Sequence, residues 1–246
     1  MVTCKNCNNT FEGNYCNMCR QSADTYRITW RELMHHLPHA IFHLDKGLLH
    51  TVKGMTFSPG EVIREYIDGK RIMHFNPLLF VILLGGIASI LFSMAHVQLL
   101  NKEIDLDKIE VISSTIAHKY FVLNGVLFIL LLSIADYFFF RYKAYTLPEM
   151  IISNTFQVGQ LMFFMVILFF PLLLLQKVIQ QQMDFHLTLR PVLKFVIMAY
   201  LFYVRYQLYD AKGNVKRFIV ILVELTVIYI LYNVVLAWYL VRLLLT

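Results

Sequence analysis

Beyond residue 19 the sequence contains no cysteine, and long stretches after residue 76 carry almost no charge. The first absence confines thiol chemistry to one short N-terminal segment. The second argues against a soluble globular domain: 58% of the residues are apolar and mean hydropathy is +0.59, whereas ordinary soluble domains are roughly 45–50% apolar. Also missing are a Ser/His/Asp order, a phosphate-binding glycine loop, a paired-carboxylate motif and an HExxH pattern, so no familiar catalytic constellation is present. No internal repeat is evident. The opening MVTCKNCNNTFEGN is polar and lacks the apolar core of a cleavable signal peptide, so none is expected. Lys and Arg outnumber Asp and Glu by 22 to 16. In a membrane protein that excess belongs first to cytoplasmic loops, ahead of any nucleic-acid role.

What is there is lipid-seeking. Crossing ~30 Å of hydrocarbon takes about 20 apolar residues in a helix, and five segments are expected to do so: about 77–96, 120–139, 150–175, 191–209 and 218–241. Asn76 is placed to cap the first, with Pro77 at the first helical position, where a missing N–H costs nothing. Pro171 predicts a kink near the end of the third. The fourth has a short charge-free core, Phe195 to Val204, and becomes nearly long enough to span if Lys194 and Arg205 both snorkel outward. Charge argues for keeping it. Arg64, Lys70 and Arg71 precede the first span, Arg141 and Lys143 follow the second, and Arg205, Lys212, Lys216 and Arg217 lie between the fourth and fifth. All three groups share one side only if there are five crossings. With basic loops inside, the N-terminus is cytoplasmic, Thr246 is outside, and the expected location is the cytoplasmic (inner) membrane. The expected fold is an all-α membrane protein, with a cytosolic head over 1–25, amphipathic juxtamembrane helices over 26–75 and a five-span domain over 76–246.

The four cysteines fall in Cys4-x2-Cys7 and Cys16-x2-Cys19. Each CxxC knuckle lets two thiolates from one tight turn meet one metal, and two knuckles complete a tetrahedral Cys4 site. The expected cofactor is one structural zinc, held in a minimal hairpin with Thr10-Phe11 and Tyr15 flanking a turn at Glu12-Gly13-Asn14. Two disulfides or a dithiol redox centre are the rivals. A cytosolic location disfavours stable disulfides. A head this small has little core of its own, so metal binding would supply its folding free energy. Lys5 and Arg20 are its only basic residues, too few for a nucleic-acid footprint.

Between head and membrane, Thr29-Trp30-Arg31-Glu32 reads as a capping box, and Trp30, Leu33, Met34, Leu37, Ile41 and Leu44 form an apolar stripe interrupted by Pro38. A second start follows at Ser58-Pro59-Gly60-Glu61, with Ser58 as cap, Glu61 closing a box and Phe57 stapled to Val62. Val62, Ile63, Tyr66 and Ile67 make its apolar face, and Gly69 ends it. Such helices lie in the membrane interface, pack on the cytoplasmic ends of the spans or pack on a partner chain. The series CxxC…CxxC, "HLDKGLLHT", "SPGEVIREYIDGKR" and "FNP" opening a span resembles a bacterial membrane family designated domain of unknown function 3667. The resemblance covers roughly residues 1–80 and implies architecture, not activity. Asn8 and Arg20 stand where the family pattern has glycine after each CxxC.

Further candidates are weaker. His35, His36, His39, His43 and His50 crowd one region. His36, His39 and His43 with Asp45 could form a second metal site, a pH-responsive contact or simply a solvated face. Inside the spans, Asp136 and Glu224 are costly residues expected to face the bundle interior, with Arg205 and Arg141 at comparable depth as ion-pair partners. Asn154, Gln157 and Gln160 offer interhelical hydrogen bonds, and Gly85-Gly86 would permit close helix approach. The expected role is a non-enzymatic adaptor or sensor. Its partners would be the lipid bilayer and either an unknown protein or a second copy met through the head, with no nucleic acid. A transporter or channel using Asp136 and Glu224, and a lipid-active enzyme using the histidines, are the alternatives.

Overall fold

The computed structural model describes residues 1–23, 25, 28–30, 47–100, 121–143, 145–171 and 185–244. Strands β1 (Val2–Thr3) and β2 (Thr10–Phe11) pair antiparallel, Val2 opposite Phe11. The described helices are α1 (Gly47–Phe57), α2 (Pro59–Ile67), α3 (Pro77–Leu100), α4 (Phe121–Phe139), α5 (Leu147–Phe164), α6 (Phe185–Leu208) and α7 (Val215–Leu244). The protein is therefore mostly helical. Two stretches, Leu147–Leu168 and Val215–Val234, are long and apolar enough to cross a membrane, and Pro77–Leu91 and Asn124–Phe139 are shorter apolar helices.

α5 is the axis of the bundle. Every residue from Pro148 to Leu161 is buried, with α3 and α4 packed along it and α1, α2 and α6 against it as well. Gly159 makes the α3–α5 contact possible, because a Cβ there would run into the ring of Phe80. Phe80 in turn packs on Phe156, ring centroids 6.3 Å apart. The close approach that Gly85-Gly86 would permit is not made among the described residues: a Cβ at either meets nothing within 4 Å.

Helix starts and stops follow local chemistry. Asn76 accepts the N–H of Leu78 at 2.9 Å through its side chain, with Pro77 following as the first helical residue. α5 is capped from the other direction, Thr146 N–H to Glu149 Oε2 at 2.7 Å. Met165–Phe169 form a π-helical turn just before Pro171, which lacks the N–H and crowds the carbonyl four residues back. α2 ends in a Schellman arrangement, with Gly69 at φ 102°, Gly69 N–H bonded to Tyr66 O and Lys70 N–H to Glu65 O.

Two local expectations fail at the start of α2. Ser58 makes no side-chain cap bond, and Phe57 is exposed, so no staple forms. The reason is tertiary: Gly60 N–H is met by Gln207 Oε1 of α6 at 3.2 Å, and Val62 packs over Gly54 of α1 rather than over Phe57. α1 and α2 pack into the bundle. Tyr200 OH donates to Met55 O at 3.0 Å, Tyr203 OH to Phe57 O at 2.6 Å, and Gln160 Nε2 to Thr56 Oγ1 at 2.9 Å. Tyr66 stands edge-on to Phe156 with centroids 5.1 Å apart. Of the earlier stripe and capping box, Thr29 and Trp30 are exposed; Arg31 to Leu44 lie outside the described residues.

Candidate functional site

Each CxxC builds the same turn. Cys4 N–H bonds Asn9 O and Asn8 N–H bonds Cys4 O, at 2.8 and 2.9 Å; in the second knuckle Cys16 N–H bonds Gln21 O and Arg20 N–H bonds Cys16 O, both at 2.8 Å. Closing those turns requires a left-handed residue after the second cysteine, and Asn8 (φ 58°) and Arg20 (φ 63°) both adopt it. Asn tolerates that region readily; Arg does so at a cost. The strand pairing differs from the expected hairpin. Thr10-Phe11 pairs with Val2-Thr3, and Tyr15 bridges to Ser22, so each knuckle is closed by its own flanking residues.

The four Sγ atoms lie within 4.8 Å of one another, with Cys4–Cys19 at 3.5 Å and Cys7–Cys16 at 3.6 Å. Zinc–sulfur bonds of about 2.3 Å place tetrahedral sulfurs about 3.8 Å apart, so Cys4, Cys7, Cys16 and Cys19 fit one metal ion. The four cysteines are free, not disulfide-bonded. Backbone N–H groups of Cys19 and Met18 help hold the Cys16 thiol down at about 6. At Cys7 the N–H of Asn9 pulls the same way, but desolvation and the three neighbouring sulfurs outweigh it and push that thiol up to about 12. Four adjacent thiolates need a cation among them, and a tetrahedral divalent metal supplies it.

The head is docked on the rest of the chain. Gln21, itself buried, accepts the N–H groups of Arg71 and Ile72 on Oε1 at 3.1 and 3.3 Å. Lys5 Nζ donates to Thr25 O, and its stem covers Gly69, where a Cβ would come within 2.7 Å of Lys5 Cδ. From there α2 leads to α6. Gly60 approaches so closely that a Cβ would lie 2.6 Å from Gln207 Cβ and 2.7 Å from Leu208 N. Arg64 Nη1 donates to Gln207 O at 2.7 Å and Leu208 O at 3.3 Å, meeting carbonyls at the end of α6, the first of which also accepts Asp210 N–H at 3.3 Å. Asp210 gathers the same end, pairing with Arg64 at 3.3 Å and Lys143 at 2.7 Å, while Arg217 Nη1 donates to Asp210 O at 2.9 Å. The hydrogen bond and charge of Lys143 hold the Asp210 carboxyl below its ordinary range.

Just inside that end, the structure brings Asp136, Arg205 and Glu224 together. All three are fully buried. Arg205 donates to Glu224 Oε2 at 2.9 Å, Asp136 Oδ2 at 3.2 Å and Gln157 Oε1 at 2.9 Å. Asn154 Nδ2 bonds Asp136 Oδ2 at 2.7 Å, and Tyr209 OH bonds Asp136 Oδ1 at 3.0 Å. Arg205 therefore does not snorkel; two inward carboxyl groups hold it. Lys194 is exposed on α6, its ammonium 5.9 Å from the Tyr229 ring centroid. Arg141 stays outside the cluster, 5.8 Å from the Tyr137 ring centroid. Gln160 is also apart from it, bonded to α1.

His35, His36, His39, His43 and Asp45 lie outside the described residues. His50 is on α1, its ring centroid 5.5 Å from that of His74, and His74 Nε2 lies 3.1 Å from Glu65 Oε2. This junction of α1, α2 and the approach to α3 escaped the sequence reading, because Glu65 and His74 are nine residues apart and belong to no helical repeat.

Residues 45–88 match the family model described as "Protein of unknown function (DUF3667)". The matched stretch holds α1, α2 and the start of α3, the elements that join head to bundle. No curated protein and no solved structure matches the chain.

Proposed function

We propose that this is a five-span membrane protein whose cytosolic head holds one structural zinc ion and acts as a non-enzymatic sensor or adaptor. The observation that carries it is the unbroken series of contacts from the Cys4 site through Gln21, the Gly69–Ile72 turn and α2 to the end of α6, one turn from Arg205. Residues drawn from the three basic groups, Arg64, Lys143 and Arg217, meet around Asp210. That supports one cytoplasmic side for all three, with an inner-membrane location, the N-terminus inside and Thr246 outside. Apolar side chains exposed on α4 and α7, among them Leu127, Ile134, Phe138, Leu222 and Ile230, suit contact with lipid. Tyr15 and Met18, exposed on the second knuckle, offer the face on which a protein partner or second copy would dock.

The test is metal content and its consequence. Purified under reducing, metal-replete conditions, the full chain is expected to carry zinc near one ion per chain. Cys16→Ser leaves three ligands and should lose the metal and expose residues 1–25 to rapid proteolysis. A wild type without bound zinc under those conditions would overturn the reading.

A further inference from the structure

We infer that Glu224 is a proton-binding site, whose carboxyl holds one exchangeable proton and shares it with Asp136. The inference stands independently of the metal in the head. It begins with a charge count. Asp136 and Glu224 are both fully buried, and both are hydrogen-bonded to the same single cation, Arg205. Two ionised carboxylates around one guanidinium would leave a net negative charge sealed among α4, α6 and α7. A buried charge without compensation is disfavoured strongly enough that the group takes up a proton instead.

A donor count assigns the proton. Asp136 has a donor on each oxygen: Oδ2 receives Arg205 and Asn154, and Oδ1 receives Tyr209, which leaves one of its roughly four acceptor sites for a proton shared with Glu224. Glu224 Oε2 receives Arg205, but its Oε1 is buried without a hydrogen-bond partner among the described residues. The Glu224 and Asp136 carboxyls sit on neighbouring donors of one guanidinium, Glu224 on Arg205 Nε and Asp136 on Arg205 Nη2. Two bare carboxylates repel in that position, whereas one proton between them makes a strong O–H···O⁻ bond. Glu224, the member with the undonated oxygen, is the donor. The groups facing it from the helices packed on α7 are Asp136 from α4 and Arg205 from α6; Tyr209, just past α6, and the neutral amides of Gln157 and Asn154 from α5 complete the shell of Arg205 and Asp136. Releasing the proton to water would leave a carboxylate oxygen with no donor, so proton occupancy and the packing of α4, α6 and α7 are linked.

The experiment uses the full chain in lipid nanodiscs near neutral pH. Infrared spectra should show a protonated-carboxyl C=O band, shifted on exchange into D2O and absent in Glu224→Gln. Glu224→Gln replaces a neutral acid with a neutral amide and should move the melting temperature by no more than about 2 °C, as a surface change does. Asp136→Asn removes the ionised partner and should lower it several-fold more, or prevent folding. Failure of Glu224→Gln to fold, a loss equal to that of Asp136→Asn, or an unchanged carboxyl band would overturn the inference. Stabilisation of the wild type by sodium over choline at equal ionic strength, abolished in Glu224→Gln, would also overturn it, assigning the site to a metal cation.

Discussion

Arg20 holds a backbone conformation that suits glycine, at φ 63°, because the second knuckle cannot close otherwise. The left-handed region costs a side-chain-bearing residue roughly 1–2 kcal/mol, and glycine gives back about half of that in lost chain freedom. Arg20→Gly should therefore stabilise the head by about 0.5–1 kcal/mol, seen as slower loss of bound metal to a chelator; Asn8→Gly should do less. The residue-level demand was readable in the sequence, since CxxC followed by a turn always raises it. The Glu65–His74 pair was not, because only the fold brings it together. Burial pushes His74 below its ordinary 6.5 against the pull of Glu65. At neutral pH the contact is thus a hydrogen bond from a neutral imidazole. Burial opposes ionisation of Glu65, but Lys70 and His74 outweigh it and hold its carboxyl below the ordinary 4.5. Both folded-state values are depressed, so both contributions are present above the unfolded values and lost as pH falls. Stability should begin to decline below about pH 6.5 through His74, with Glu65 adding to the loss below about 4.5. His74→Gln should flatten the upper part of that decline in a melting-temperature titration; an unchanged profile would remove His74 from the account.

At the scale of elements, α2 was the most legible piece. Pro59 at the first position, the face of Val62, Ile63, Tyr66 and Ile67, and the stop at Gly69 are all local properties of the sequence. What was hidden is why Gly60 follows Pro59. It is the point where α2 touches the backbone of α6, and Gln207 completes the cap that Ser58 does not make. α1 was illegible for a similar reason. Gly47 and Gly54 weaken its helical pattern, yet each admits a neighbour: Gly47 lies against the backbone of Met73 to Phe75, and Gly54 beneath Val62. Gly60→Ala should force α2 from α6 and cost about 1–3 kcal/mol, as overpacking does. Melting of the detergent-solubilised chain would register it, and an alanine tolerated there without loss would contradict the close contact. The amides of α5 divide by the same logic. Asn154 and Gln157 belong to the charged cluster, and Gln160, one turn on, belongs to α1, a distinction that sequence spacing does not draw.

At the scale of the molecule, composition predicted helices and a metal-binding head, and charge placement suggested which loops share a side. Neither predicted that the head is joined to the bundle. Gln21 carries no motif, and its bonds to Arg71 and Ile72 span fifty residues of sequence. Sequence alone depicts a free cytosolic knob above a membrane domain; the contacts show one connected body from cysteines to α6. Hydrogen exchange on the full chain, zinc-loaded and then stripped of metal, tests that connection most directly. Metal removal should raise exchange in residues 1–25 and also in 59–72 and 205–210, because the Gln21 and Lys5 contacts hold the turn that positions Arg64 on the end of α6. Increased exchange confined to residues 1–25, with α2 and the end of α6 as protected as before, would contradict it.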